Sequence, residues 1–233
     1  MTREEIQAGK VLLVDKPYEW TSFQAVSKIR YAFQKELGLK KLKVGHAGTL
    51  DPLATGLLII CIGKETKSIS NYMGMEKEYI AEIKFGATTP SYDLETEEDM
   101  TFPTDHLSEA VISAVLPEFT GSILQYPPIF SAIKKDGVRA YEKARAGEEI
   151  KMDPRQIEIH ELEIQGWKEN VLTLRVRCGK GTYIRSLAHD LGKACGSGAY
   201  LVGLRRTRIG HYDVKNAAEP TEIVAQYKAQ FES

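Results

Sequence analysis

Asp51 sits near the middle of the stretch of this chain best suited to chemistry, Gly45–Gly56, which reads GHAGTLDPLATG. Three glycines, a proline and the acid share one loop that runs into the apolar string Leu57–Ile62 (LLIICI). A carboxylate held there by backbone amides and the Thr49 hydroxyl has the fixed geometry that a nucleophile or general base requires. The same residues suit an Asx turn, in which Asp51 only bonds its own backbone ahead of Pro52. His46 is a candidate proton shuttle or metal ligand. It has no partner at metal-ligand spacing, because His106, His160, His189 and His211 form no HxxxH or HxH pair, so no metal site is expected.

A second candidate is Arg177–Arg185, RCGKGTYIR, at a strand-to-helix junction. Gly179 and Gly181 allow close backbone approach. A buried arginine at 185 can pair with a loop carboxylate; taken on its own, the segment fits a glycine-rich turn with a surface arginine better. The third is Pro127–Arg145, where Lys134, Lys135, Arg139, Lys143 and Arg145 interleave with Phe130 and Tyr141. Cations for phosphates and aromatic faces for unstacked bases are the pattern of RNA binding. A surface amphipathic helix gives the same pattern. Other chemistries lack their motifs: Gly63-Lys64 and Gly179-Lys180 have no Walker context, no G-x-S-x-G is present, and no GxGxxG follows a strand.

The elements that must position these groups are legible in part. Val11–Val14 reads as a short buried strand stopped by Asp15-Lys16-Pro17. Thr21 and Gln24 form a capping-box pattern, and Phe23, Val26, Ile29 and Phe33 supply one apolar helical face to about Leu37. Gly38–Gly56 reads as a long loop, Leu57–Ile62 as a buried strand, and Tyr79–Phe85 as a half-buried strand. Gly86–Thr104 is polar and acidic, an exposed excursion. Leu107–Leu116 looks helical and Phe119–Leu124 extended. Residues 126–154 read as an insertion with a helix-like stretch near Val138–Ala146. Ile157–Ile164 and Val171–Cys178 alternate as paired strands. Tyr183–Ala194 is a helix ended by Gly196 and Gly198, Tyr200–Ile209 is extended, and Pro220–Phe231 is a closing helix. No regular βαβ rhythm appears, so the class is α+β, with a mixed, mostly antiparallel central sheet flanked by helices and loops.

A net charge of -1 argues against a uniformly basic nucleic-acid coat protein. The charges are segregated, however. Acid gathers in Asp93–Asp99, and base in Lys35–Lys43, Lys134–Arg145, Arg175–Arg185 and Arg205–Arg208, which permits one basic face. The 3 cysteines are scattered, and the polar N-terminus is unlike a leader sequence. The longest apolar run is far too short to cross a bilayer. A cytoplasmic protein is expected, without membrane attachment.

The chain resembles the TruB family of tRNA pseudouridine synthases. The strings that carry the resemblance are, in order, VDKPYEWTS (Val14–Ser22), KVGHAGTLDPLATGLL (Lys43–Leu58), KEYIAEIKFG (Lys77–Gly86), YPPIFSAIKKDGVRAYEKAR (Tyr126–Arg145), CGKGTYIRSLAHDLG (Cys178–Gly192) and LRRTRIG (Leu204–Gly210). They are collinear and span nearly the whole chain, and their wording is that of the stand-alone bacterial branch. The resemblance implies a pseudouridine synthase fold in a single catalytic domain over 1–233. It implies isomerisation of one uridine in the T loop of tRNA, with no cofactor, metal or obligatory protein partner, by a monomer. Asp51 matches the family's essential aspartate, Tyr79 the aromatic that stacks on the target base, and Arg185 the arginine that pairs with the carboxylate. His46 matches the residue beside the flipped nucleotides, and Leu204 a pocket-lining position behind the base. Lys16 lies in the DKP string and supports the active site. Residues 126–154, with Lys134, Arg139, Tyr141, Lys143 and Arg145, match an RNA-gripping insertion. The family commonly carries a further C-terminal PUA module, and the sequence after Ala218 is too short for one, so weaker contact with the acceptor stem is expected. The rival reading is a tRNA-folding chaperone whose catalysis is incidental or lost.

Overall fold

The computed structural model describes residues 2–131, 134–135, 138–139 and 152–229. They form two compact units, Met1–Tyr79 with Leu204–Ser233, and Ile80–Gly203. The α+β class is borne out: among the described residues most pairings of stated direction are antiparallel, Leu204 to Arg206 run parallel to Ala54 to Gly56, and helices accompany the strands.

In the first unit, β1 (Lys10–Lys16) and β2 (Val44–His46) both run antiparallel to β3 (Ala54–Ile62). Every residue of β3 except Thr55 is buried. Leu58, Ile60 and Ile62 face a cluster containing Val14, Ile29, Phe33 and Tyr227. Leu57, Ile59 and Cys61 face another containing Ala47 and Ile209. A strand with a core on each side must be apolar at both parities, which is why LLIICI does not alternate. Each such side chain contributes about 2 kcal/mol of transfer free energy.

The helix Ser22–Glu36 opens on the expected capping box. Thr21 accepts from the Gln24 amide, and Gln24 accepts from the Thr21 amide at 2.7 Å. Its buried face is Ala25, Val26, Ile29, Ala32 and Phe33. Phe23 does not belong to that face, contrary to the sequence reading; it is 65% exposed. At about 100° per residue it lies roughly 120° around the helix from the buried stripe. Phe33 packs against Tyr227 of the Pro220–Ala229 helix, with ring centroids 3.9 Å apart and the rings tilted by 32°.

The chain enters the second unit along β4 (Lys77–Phe85), whose buried residues alternate through Tyr79, Ala81, Ile83 and Phe85 as expected. Two short strands follow, β5 (Ala87–Thr88) and β6 (Met100–Thr101), paired antiparallel. Between them the turn is only in part the exposed excursion that its polarity suggests: Thr89, Ser91 and Asp93 are buried, while residues 90, 94, 95 and 97–99 are exposed. The Thr89 hydroxyl donates to the Asp93 carbonyl at 2.7 Å and the Ser91 hydroxyl to the same oxygen at 3.2 Å. Polar groups satisfied within their own turn can leave water at little cost.

Beyond them come β7 (Gly121–Gln125), the minimal hairpin of β8 (Lys134–Lys135) and β9 (Val138–Arg139), then β10 (Arg155–Lys168) and β11 (Val171–Cys178). The helix expected near Val138–Ala146 is therefore replaced at its start by a strand; residues 140–151 lie outside the described residues. The expected pairing of β10 with β11 is present and antiparallel, with β7 on the other side of β10. The helix Ile184–Ala194 follows. Then β12 (Ala199–Ile209) returns the chain to the first unit, where it pairs with β13 (Tyr212–Asp213) and, in parallel, with β3.

Candidate functional site

The Asp51 loop is clamped at alternate residues by three side chains from three different elements. The Ser22 hydroxyl, at the start of its helix, accepts from the Leu50 amide at 2.9 Å and donates to the Leu50 carbonyl at 3.1 Å. The Lys16 ammonium, at the end of β1, donates to the carbonyls of Pro52 at 3.3 Å, Pro17 at 2.8 Å and Trp20 at 2.6 Å. Arg206 on β12 donates from Nη2 to the Gly48 carbonyl at 3.1 Å and from Nε to the Leu57 carbonyl at 2.7 Å. The Ala54 amide closes a turn onto the Asp51 carbonyl at 3.0 Å. Leu50 is buried while Asp51 is only partly so. A partly accessible carboxylate on a rigid loop meets the geometric requirement for attack or proton abstraction.

Arg206 depends on Gly56. Leu204 to Arg206 run parallel to Ala54 to Gly56, and a Cβ at 56 would stand 2.3 Å from the Arg206 carbonyl oxygen. Gly56 also has φ +102°, which L side chains rarely adopt. Arg206 is 1% exposed, so a residue counted as surface base in the sequence is an internal strut. Its neighbour Arg205 forms a two-pronged ion pair with Asp15, at 2.6 and 3.1 Å.

The Lys16 ammonium answers to its burial and to the charges around the loop. Burial pushes the Lys16 ammonium down to about 8; the Asp51 charge opposes that drop and the Arg206 charge adds to it. Three carbonyl acceptors need all three N–H groups of the protonated amine, and the neutral amine has only two. The clamp on Pro52 is therefore complete below pH 8 and loosens above it. Turnover is expected to fall along an alkaline limb with an apparent pKa near 8, and Lys16→Met is expected to remove that limb together with most activity. A flat wild-type profile from pH 7 to 9.5 would contradict this role.

The other residues named for the first unit are arranged as follows. His46 ends β2 and is partly buried; burial, then the Arg206 charge, hold its imidazole below the usual range against a Gly48 backbone bond, so the ring is neutral at pH 7. Tyr79 on β4 is 9% exposed. Leu204 lies in register with Ala54 and is partly exposed.

Arg185 belongs to the second unit, at the second position of the Ile184–Ala194 helix, and is 5% exposed. Its Nη1 donates to the Ser91 carbonyl at 3.3 Å, and its Nε stands 3.6 Å from Oδ2 of Asp93, itself 5% exposed. Gln125 fixes the residue that precedes the helix: its side chain accepts from the Tyr183 amide at 2.8 Å and donates to the Tyr183 carbonyl at 3.0 Å. The glycine-rich junction is therefore a braced helix start with a buried arginine, not a surface turn. Sequence reasoning missed Asp93 and Arg206, the first because it opens an acidic run that looks solvated.

Lys134 and Arg139 are register partners in the β8–β9 pair; Tyr141, Lys143 and Arg145 lie outside the described residues. A cationic surface does appear in the first unit. A cavity of about 350 Å³ is lined by Lys41, Lys43, Lys64 and Lys67 with Leu42, Gly63 and Thr66. Lys41 and Lys43 belong to a basic run visible in the sequence; the 3-10 turn Gly63–Ser68 adds the other two. Among the described residues no group of three or more His, Cys, Asp or Glu side chains is placed to hold a metal ion. No described helix is long and apolar enough to cross a membrane.

Comparison with known proteins gives this geometry a context. The family model described as TruB family pseudouridylate synthase (N terminal domain) matches residues 34–184, and that of the tRNA pseudouridylate synthase B C-terminal domain matches residues 185–232. The protein of Flavobacterium johnsoniae named tRNA pseudouridine synthase B is 60% identical over 222 residues, covering 95% of this chain and 97% of that one. Its namesake from Parabacteroides distasonis is 52% identical over 216 residues, covering 93% and 92%. Among solved structures, a chain of an H/ACA RNP bound to a substrate RNA containing 2′-deoxyuridine is 28% identical with a TM-score of 0.70, covering 97% of this chain and 56% of that one. A chain of a Cbf5-Nop10-Gar1 complex is 29% identical with a TM-score of 0.69, covering 95% and 55%. This chain thus spans just over half the length of those two solved chains.

Proposed function

Because the chain belongs to the TruB family of pseudouridylate synthases, we propose that it converts one T-loop uridine of tRNA to pseudouridine, using the Asp51 carboxylate. The observation that carries the reading is the loop clamped at residues 48, 50 and 52, which holds Asp51 between fixed points. The tRNA substrate is supported by the names of relatives that align along nearly their whole length.

The reaction sets the requirements. The bond from uracil N1 to ribose C1′ breaks, the base turns, and C5 bonds to C1′. The proton on C5 leaves and N1 takes one up, so nothing is oxidised or reduced. Asp51 attacks the ribose or removes a ribose proton to release the base, and either role needs a carboxylate that does not drift. Arg185 pairs with that carboxylate in this reading, while Ser91 and Asp93 orient the arginine. Tyr79 stacks on the base, and Leu204 backs it. The nucleotide leaves its stack at a cost of a few kcal/mol (roughly), and a neutral His46 fills the vacated space without placing a charge against apolar ring faces.

Binding belongs to the lysine-lined cavity and to the segment 126–154, which grips the T arm in this reading. The protein acts as a cytoplasmic monomer with one catalytic domain, without cofactor or protein partner. Replacing Lys41, Lys43, Lys64 and Lys67 by Gln is expected to weaken tRNA binding and flatten its salt dependence, by roughly 0.7–0.9 in the log–log slope for each phosphate that is no longer neutralised. An unchanged slope would return these lysines to the solvent.

The reaction itself is tested with a tRNA transcript carrying tritium at uridine C5. Tritium is expected in water as C5 exchanges its hydrogen for C1′. Retention of all label under conditions where the RNA binds would contradict the reading.

A further inference from the structure

Two large aromatic rings stand in solvent on the very segment that braces the Asp51 loop. Tyr18 is 49% exposed and Phe23 65%. The chain that carries them is tied down at close intervals. Lys16 takes the carbonyls of Pro17 and Trp20. The Glu19 amide donates to the Pro52 carbonyl at 2.9 Å, with Glu19 held at φ +65°, a left-handed conformation that a non-glycine residue keeps only when its surroundings impose it. Ser22 makes both of its bonds to Leu50. Tyr18 therefore adjoins the bonded pair Glu19–Pro52, and Phe23 adjoins Ser22–Leu50. The two anchors lie on either side of Asp51. Arg30, two helical turns past Phe23, sets its guanidinium 6.0 Å from the Phe23 ring centroid.

We propose that Tyr18 and Phe23 form a stacking platform for the bases next to the reacting nucleotide, with Arg30 meeting the phosphate between them. This rests on the RNA reading above and extends it to the substrate's neighbouring nucleotides. A nucleotide drawn out of its stack leaves its neighbours with uncovered π faces, and an aromatic side chain covers such a face whatever the base. Rings fixed to the catalytic loop would register those neighbours against Asp51. The patch does not suit an apolar protein surface, because the exposed polar residues Glu19 and Thr21 lie between the two aromatic residues and exposed Gln24 follows them. A cation over a ring fits an anionic, base-bearing partner.

The test uses the full chain and an unmodified T-arm hairpin with 2-aminopurine placed on either side of the target uridine. Tyr18→Leu and Phe23→Leu, singly and together, keep apolar bulk but remove the ring face; Tyr18→Phe and Phe23→Tyr keep it. Each single Leu variant is expected to raise KM by about fivefold to a hundredfold, and the double Leu variant to raise it further and lose the fluorescence quench on binding, while the aromatic variants keep wild-type KM and quench. A double Leu variant with wild-type KM and wild-type quench overturns the platform and leaves the reaction standing. Wild-type protein that quenches the probe without forming pseudouridine would remove the reaction reading and leave the platform. A changed oligomeric state with unchanged KM would overturn the proposal by assigning the face to a second copy of the chain.

Discussion

Asp51→Asn is expected to abolish pseudouridine formation, by roughly four to six orders of magnitude in kcat, while tRNA binding and thermal stability stay close to wild type. The amide has the carboxylate's shape but neither attacks ribose nor accepts its proton. The loop is expected to survive, because the clamps from Ser22, Lys16 and Arg206 act on main-chain atoms of residues 48, 50 and 52. The Asp51 charge is also what opposes the fall of Lys16, so its ammonium is expected to drop below about 8 in the variant. Single-turnover assays at saturating enzyme separate impaired chemistry from impaired binding. A variant retaining a tenth of wild-type turnover would remove Asp51 from the chemical step.

The second large effect is expected from Arg185→Ala, through stability as well as turnover. The substitution takes a cation from beside Asp93, and both residues are 5% exposed. Breaking such a buried pair costs about 3–5 kcal/mol, or roughly 10 °C in Tm for a chain of this size. Turnover is expected to vanish as well, because the arginine also orients the Asp51 carboxylate in the proposed mechanism. The two losses are separable. Adding Asp93→Asn removes the stranded charge and is expected to restore much of the melting temperature without restoring turnover. Recovery of both in the double variant would reduce Arg185 to a structural residue. Arg185→Lys keeps the charge but loses the forked donor set, so it is expected to fold well and turn over poorly.

The sequence reading succeeded where a signal is local. The alternation of β4, the continuous apolar run in β3 and the Thr21–Gln24 capping box each depend on a few neighbouring residues, and each is present. It failed where a residue answers to a distant partner. Gly56 looks like one more loop glycine until β12 arrives alongside it from far along the chain, and Arg206 looks like surface charge until that pairing buries it. Residues 89–93 read as solvated because burying an acid needs a cation, and that cation is Arg185, equally remote in sequence. Phe23 was misplaced for a different reason: on a helix that also buries alanines, the bulkiest apolar residues do not define the face. For the candidate site, the composition of the loop singled out Asp51 as a proposal, and Lys16 entered only through the DKP string of the family resemblance. The bonds that make the loop rigid were not legible.

The most direct test of the central claim is to incubate the purified chain and its Asp51→Asn variant with an unmodified tRNA transcript, and then to map pseudouridine along the RNA by base-specific chemical labelling. The account predicts label at a single T-loop uridine with the wild-type chain and none with the variant. Label elsewhere would contradict the assigned site, and equal label with both proteins would contradict the carboxylate. Bound but unlabelled tRNA with the wild-type chain would identify an RNA chaperone in place of an isomerase.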